Sequence, residues 1–299
     1  MTLKSPCSQT EKRKAQMEIQ NKEIAETLRH IKNKILVMSG KGGVGKSSIA
    51  AYLSVALAKK GFKVGLMDVD LHGPSIPRIL GLKGSLRHGS HERKMLPVRY
   101  LPNMEVISIE TLMGENKDAA TIWRGPLKIG AIRQFISDIE WMDLEYLIID
   151  SPPGTGDEPL TIAQTISDAK ALIVTTPQEV SLADVRKSIN FCRQVKMQIL
   201  GLVENMSGLI CPFCGRTINV FKTRGGEITA RRENLRLLAT LPLETEVVKQ
   251  GDDGDLSFLD NQELLIAQEF NKMVDEIVRL TDTQKSALSQ TGKNYLKAS

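Results

Sequence analysis

Residues 35–59 constrain this chain more than any other stretch. Ile35-Leu36-Val37-Met38-Ser39 is a short apolar run of the kind that forms a buried strand. It enters Gly40-Lys41-Gly42-Gly43-Val44-Gly45-Lys46-Ser47, which fits the spacing G-x-x-x-x-G-K-[ST], and a helical segment over 46–59 follows. Glycines 42, 43 and 45 let the backbone curl until successive N–H groups face one anion. Lys46 then sets a point charge against β- and γ-phosphates, Ser47 offers a hydroxyl to Mg²⁺, and the helix start adds the positive end of its dipole. Gly42, Gly43, Val44, Gly45, Lys46, Ser47 and Ser48 are the candidate nucleotide-binding residues.

The rest of the chain repeats the alternation. Apolar runs at Lys63–Asp68, Met104–Ile109, Tyr146–Asp150, Ala171–Thr175, Ile199–Glu204 and Leu237–Leu241 are separated by helix candidates at 126–138, 158–167, 180–196 and 261–280. Continuous apolar runs are the mark of strands covered on both faces, so the pattern predicts an α/β fold with a doubly wound, mostly parallel sheet. Aromatics make up only 4% of the chain against 41% hydrophobic residues, which leaves the core to aliphatic side chains. The organisation expected is a polar, basic arm over 1–33, one domain over 34–280, and a polar, disordered tail over 281–299. Residues 83–103, with Pro97 and Pro102, read as an irregular exposed insertion.

Three carboxylates close apolar strands, where open α/β sheets place their ligands. Asp150 ends Leu147-Ile148-Ile149-Asp150 and is the candidate to hold Mg²⁺ or its water shell. Asp68 would support the same ion, and Asp70 would position the attacking water for in-line transfer. Ser151-Pro152-Pro153-Gly154-Thr155-Gly156-Asp157 mixes fixed and free φ angles, which suits a segment that responds to the γ-phosphate. No N-K-x-D guanine signature is present. Asn205, just past a strand, could read adenine through its amide, so ATP is the expected nucleotide.

Charge narrows the partners. Residues 1–34 carry eight Lys or Arg against four Asp or Glu, while the other 265 residues carry 32 against 31. A nearly neutral globular part argues against a nucleic-acid-binding core, and the basic arm reads as a solvated, partly helical tail. No apolar run is long enough to span a membrane, and acids at Glu11, Glu18, Glu23 and Glu26 are unlike a mitochondrial leader. A cytoplasmic protein is expected.

Cys211-Pro212-Phe213-Cys214-Gly215 is a tight knuckle with two metal-ligating thiolates, whereas a closed zinc site or a [4Fe-4S] cluster needs about four. Cys7 lies in the arm and Cys192 in a helical segment, where it reads as an ordinary buried thiol. A homodimer that brings Cys211 and Cys214 of each copy to a two-fold axis is the economical solution. By form alone the knuckle suits zinc, an iron–sulfur cluster or a redox dithiol, in that order.

Taken together, S-G-K-G-G-V-G-K-S, M-D-V-D-L-H-G-P-S-I-P, W-R-G-P, I-I-D-S-P-P-G-T-G-D, T-P-Q and V-E-N-M-S-G…C-P-F-C-G resemble the Mrp/ApbC family, P-loop ATPases of the MinD/ParA superfamily that carry iron–sulfur clusters. The resemblance spans about residues 34–280. It implies a homodimer with ATP sites facing the partner, Lys41 as a signature lysine reaching the partner's nucleotide, and Cys211 and Cys214 as ligands of a labile bridging [4Fe-4S] cluster. The activity it implies is ATP turnover coupled to delivery of the cluster to apo-proteins. Relatives with an N-terminal four-cysteine site are not matched, because only Cys7 stands there. The competing reading is a MinD/ParA-like positioning or targeting ATPase with a structural zinc at the cysteine pair. That reading wants a membrane helix, a basic patch or a hydrophobic client-binding insertion, and residues 83–103 are too charged for the last.

Overall fold

In the computed structural model, the backbone is described for residues 6–70, 73–82, 87–89, 94–108, 111 and 125–295. All seven predicted strands are present: β1 (Asn33–Ser39), β2 (Val64–Asp68), β6 (Met104–Ser108), β7 (Tyr146–Asp150), β8 (Lys170–Thr175), β9 (Gln198–Glu204) and β12 (Leu237–Thr240). They pair in parallel in the order β12-β9-β8-β1-β7-β2-β6. Ile109, expected to close the third of them, lies outside the described residues.

Side chains alternate across this sheet, so each central strand feeds two cores. Ile35 and Val37 of β1 join Leu66, Ile148, Leu172 and Val174 beneath the helices Lys46–Lys59 and Leu265–Tyr295. Leu36 and Met38 point the other way, with Met67, Ile149, Ile173 and Leu202, beneath the helices Gly125–Ser137 and Glu179–Gln194. Each of these buried aliphatic side chains contributes about 1.5–3 kcal/mol relative to exposure. Burial on both faces explains why the strands read as unbroken apolar runs.

Three expectations need correction. Residues 83–103 are not wholly irregular: Val98–Leu101 forms β5, an antiparallel edge strand on β6, and Arg87–His88 (β3) pairs with Met95–Leu96 (β4). Residues 83–86 and 90–93 of that segment, with Leu71, His72, Trp123 and Arg124 of the quoted motifs, lie outside the described residues. The arm is a helix, Pro6–Arg29, and its last turns are not an appendage. Ile24 is buried in the second core, as is Ile31 just beyond the helix, and Gln20 accepts from Arg133 of the helix Gly125–Ser137 at 3.1 Å. A thin apolar stripe is enough to dock a helix when a sheet-covering helix lies beside it. The tail continues the last helix to Tyr295, since no proline or glycine interrupts 281–291, and Thr281 is buried with its hydroxyl 2.8 Å from that of Tyr146.

Candidate nucleotide site and cysteine knuckle

The C-terminal edge of the sheet gathers the predicted phosphate site. β1 delivers the chain to Gly45, whose φ of 80° turns it into the helix Lys46–Lys59. Gly40 is needed for another reason: a Cβ there would lie 2.6 Å from the backbone nitrogen of Val185. The loop therefore rests directly on the helix Glu179–Gln194.

Lys46 is buried, and its Nζ donates to Asp150 Oδ1 at 2.5 Å and to Ser47 Oγ at 3.1 Å. Asp150 and Asp68 face each other in register at the ends of β7 and β2, both fully buried. Burial pushes both carboxyls above the usual carboxylate range; their mutual repulsion adds to the rise at Asp68, while Lys46 pulls Asp150 back. Asp68 is held by Ser108 Oγ at 3.1 Å and by the backbone N–H of Asp70 at 3.1 Å. Among the described residues Asp150 Oδ2 has no hydrogen-bond partner. Two buried carboxylates against one ammonium among those residues, with an unsatisfied oxygen and the Ser47 hydroxyl close by, form an oxygen donor set that suits a hard divalent cation such as Mg²⁺.

Asp70 stands two residues beyond β2, and its Oδ1 accepts from the backbone N–H of Gly73 at 3.3 Å. Asn205 donates from Nδ2 to the carbonyl of Val44 at 2.9 Å, tying the end of β9 to the phosphate loop. It also lines a cavity of about 190 Å³ with Gly45, Ser48, Tyr52, Pro242 and Val247. That cavity, with the loop as one wall, is where a base attached to loop-bound phosphates can lie. Lys41 turns elsewhere: its Nζ donates to Gln178 Oε1 at 2.8 Å, at the start of the helix Glu179–Gln194.

The cysteine pair is built quite differently. Leu209–Ile210 (β10) and Thr217–Ile218 (β11) form a two-stranded hairpin, and the knuckle is its tip. Cys211 N–H donates to Arg216 O at 2.9 Å, and Gly215 N–H donates back to Cys211 O at 2.9 Å. Cys211 is half-buried and Cys214 exposed. The backbone N–H of Phe213, then that of Cys214, holds the Cys211 thiol below its ordinary pKa, which favours the thiolate a metal binds. Phe213 between them is 95% exposed. No third ligand comes near: among the described residues no group of three or more His, Cys, Asp or Glu could hold a metal. Cys192 is buried as expected, its thiol pushed up to about 12 by burial. The side chain of Cys7 lies outside the described residues.

Residues 30–278 match the family model described as ParA, NUBPL iron-transfer P-loop NTPase. The chain belongs to this family. Among its relatives in the ParA/NUBPL family, an iron–sulfur cluster carrier protein of Methanocaldococcus jannaschii is 42% identical over 284 residues, covering 94% of this chain and 95% of that one. The cytosolic Fe-S cluster assembly factor CFD1 of Eremothecium gossypii is 47% identical over 233 residues, 75% of this chain and 82% of its own length. A nucleotide-binding protein from Archaeoglobus fulgidus, solved in complex with ADP, superposes with a TM-score of 0.71 at 38% identity over 84% of this chain and 96% of its own. The cell-division ATPase MinD of Pyrococcus furiosus reaches 0.59 at 25% identity, over 83% and 99%. The chain is thus an iron–sulfur carrier or assembly-factor type of P-loop NTPase with the MinD/ParA fold. Among the described residues no helix is long and apolar enough to cross a membrane.

Within this ParA/NUBPL frame, sequence reasoning missed the residues that hold others. Ser108 fixes Asp68, and Gln178 holds Lys41. Gln178 ends the T-P-Q stretch that stood out as a motif, so a signal existed without a role. Ser108 gave none, because nothing local reveals that β6 lies beside β2.

Proposed function

We propose that this chain is an ATP-binding and ATP-hydrolysing iron–sulfur cluster carrier that holds a [4Fe-4S] cluster between two copies of itself and transfers it to apo-proteins. The observation that carries the reading is the cysteine hairpin. Among the described residues it presents two thiols and no further ligand at an exposed tip, while the phosphate-loop residues stand apart from it at the edge of the eight-stranded sheet. A site meant to hold a fold together would be closed by ligands of its own chain; one that completes itself only with a second copy can be opened again.

In this reading the N–H groups of Gly42 to Ser48 cradle the phosphates of ATP, and the base occupies the cavity beside Asn205. Lys46 exchanges the Asp150 oxygen for the β/γ-phosphates. Ser47 and Asp150 Oδ2, backed by Asp68, would hold Mg²⁺, which supplies charge neutralisation on the phosphate oxygens. Asp70 orients the attacking water, and Lys41 leaves Gln178 to reach the phosphates of the partner copy. The cluster is cargo, bound by Cys211 and Cys214 of both chains. The names of the Methanocaldococcus and Eremothecium relatives support the cargo, and the cytosolic assignment of the latter supports a cytoplasmic location.

Anaerobic reconstitution with ferrous iron and sulfide tests this. The expected product is a dimer with about four iron atoms and a broad absorption near the blue end of the visible spectrum. It should be lost in Cys211→Ala and Cys214→Ala and kept in Cys7→Ala and Cys192→Ala. Zinc that resists exchange, with no iron taken up, would end the carrier reading and leave a zinc-bridged dimeric ATPase.

A further inference from the structure

The segment bearing Cys211 and Cys214 leaves the sheet at Ser207 and rejoins the fold at Gly226, and one carboxylate holds both ends. Glu204, the last residue of β9, is buried. Ser207 Oγ donates to its Oε1 at 2.6 Å, and the backbone N–H of Gly226, in the first turn of the helix Gly225–Arg232, donates to its Oε2. These described contacts are dipoles, not a full positive charge. A desolvated carboxylate held this way is costly unless the helix N-terminus and the hydroxyl both stay in place. The approach demands glycine: a Cβ on residue 226 would lie 2.8 Å from Glu204 Oε2 and 2.9 Å from Glu204 Cβ.

The same corner touches the phosphate loop twice. Asn205, next to Glu204, donates to Val44 O at 2.9 Å, and a Cβ on Gly45 would collide with that amide. On the other side Lys41 donates to Gln178, and the neighbouring Glu179 pairs with Lys222 at 3.0 Å, four residues before Gly226. The hairpin's own stem is pinned to the sheet edge by Ser207 N–H to Leu241 O and Ile210 N–H to Leu243 O, both 2.8 Å. A displacement of Val44 therefore acts on residue 205. It reaches the hairpin through the carboxylate one residue away, which grips entry and exit together.

We infer that Glu204 is a positioning residue that couples the phosphate-binding loop to the cysteine hairpin, with Ser207 and Gly226 as its two grips. The inference rests on the reading above, since it takes the loop as the ATP site and the cysteines as cluster ligands. It adds a route by which nucleotide changes the presentation of the thiols.

The test uses the full chain with reduced cysteines and no cluster. The alkylation rates of Cys211 and Cys214 by iodoacetamide are followed by mass spectrometry, with and without Mg²⁺ and a slowly hydrolysed ATP analogue. In the wild type, nucleotide should change these rates about five-fold or more. Ser207→Ala and Glu204→Ala should reduce that response to within about two-fold while a fluorescent ATP analogue binds with Kd within about two-fold of wild type. Ser207→Thr and Glu204→Gln, which keep a hydroxyl and a hydrogen-bonding carbonyl, should restore most of it. Ser207→Ala removes a single hydroxyl, so it decides the matter if Glu204→Ala fails to fold. A wild-type nucleotide response in Ser207→Ala would overturn the inference, as would a wild type that binds nucleotide without any change at the thiols. A wild type that does not bind nucleotide would overturn the carrier reading as well.

Discussion

The phosphate edge and the cysteine knuckle are opposite solutions to presenting reactive groups. At the edge, Lys46, Asp150 and Asp68 are buried and hold one another, and three strands and a helix fix their positions. At the knuckle, a short hairpin carries two thiols and an exposed Phe213, and among the described residues no other element closes over them. The first arrangement is over-determined, as catalysis by positioning and electrostatics would require. In the carrier reading proposed above, the second is left incomplete by one chain, as a site for cargo would be. The difference teaches that damage at the edge must be felt by the whole domain, and damage at the knuckle only by what it binds.

The sharpest way to break that contrast is Lys46→Ala. ATP turnover should vanish, and stability should fall by about 3–5 kcal/mol in urea unfolding because two buried carboxylates lose the one counter-charge they have among the described residues. The deficit should depend on pH with a definite sign. Burial already holds Asp68 and Asp150 above the usual carboxylate range, and removing the ammonium raises them further. The folded variant then keeps protons that the unfolded chain releases, so its stability should rise as pH falls toward the range in which unfolded carboxylates protonate. A variant as stable as wild type at neutral pH would mean that the edge is less tightly determined than its contacts imply.

Lys41 sharpens the comparison, because it belongs to the edge by sequence yet is held at Gln178 rather than at Asp150. Lys41→Ala should leave ATP binding within about two-fold and cut turnover severely. A mixed dimer with Lys41→Ala on one chain and Lys46→Ala on the other pairs the only intact phosphate loop with the partner's intact Lys41. It should keep turnover at that one site. An inactive mixed dimer would show that Lys41 does not act across the interface.

The smallest effects belong to the knuckle. Cys211→Ala and Cys214→Ala should change stability by less than about 0.5 kcal/mol while abolishing cluster binding. In the native protein, iodoacetamide should label Cys211 and Cys214 readily and leave Cys192 untouched until the domain unfolds, since burial suppresses its thiolate and blocks access. A large loss of stability on cysteine substitution would make the knuckle a structural element after all.

How much of this was legible in the sequence follows from the range of the interactions. Strand, loop and helix over residues 33–59 were fixed locally, by an apolar run, by glycines that permit the turn, and by a helix that starts at Lys46. The seven buried strands announced themselves because a sheet covered on both faces tolerates little but aliphatic side chains. The carboxylates were legible as strand ends, and the knuckle as a spacing of two cysteines. None of this says which strand lies beside which. Only the order β8-β1-β7-β2-β6 places Asp68 opposite Asp150, Ser108 on Asp68 and Lys46 on Asp150. The edge strand Val98–Leu101 was hidden among prolines and charges, because an antiparallel edge is covered less completely and needs no continuous apolar run. The docking of Ile24 and the grip of Glu204 on Ser207 and Gly226 were out of reach for the same reason. Sequence records what each segment can become next to its own neighbours. Contacts between segments far apart in the chain exist only once the crossovers have set the order of the sheet.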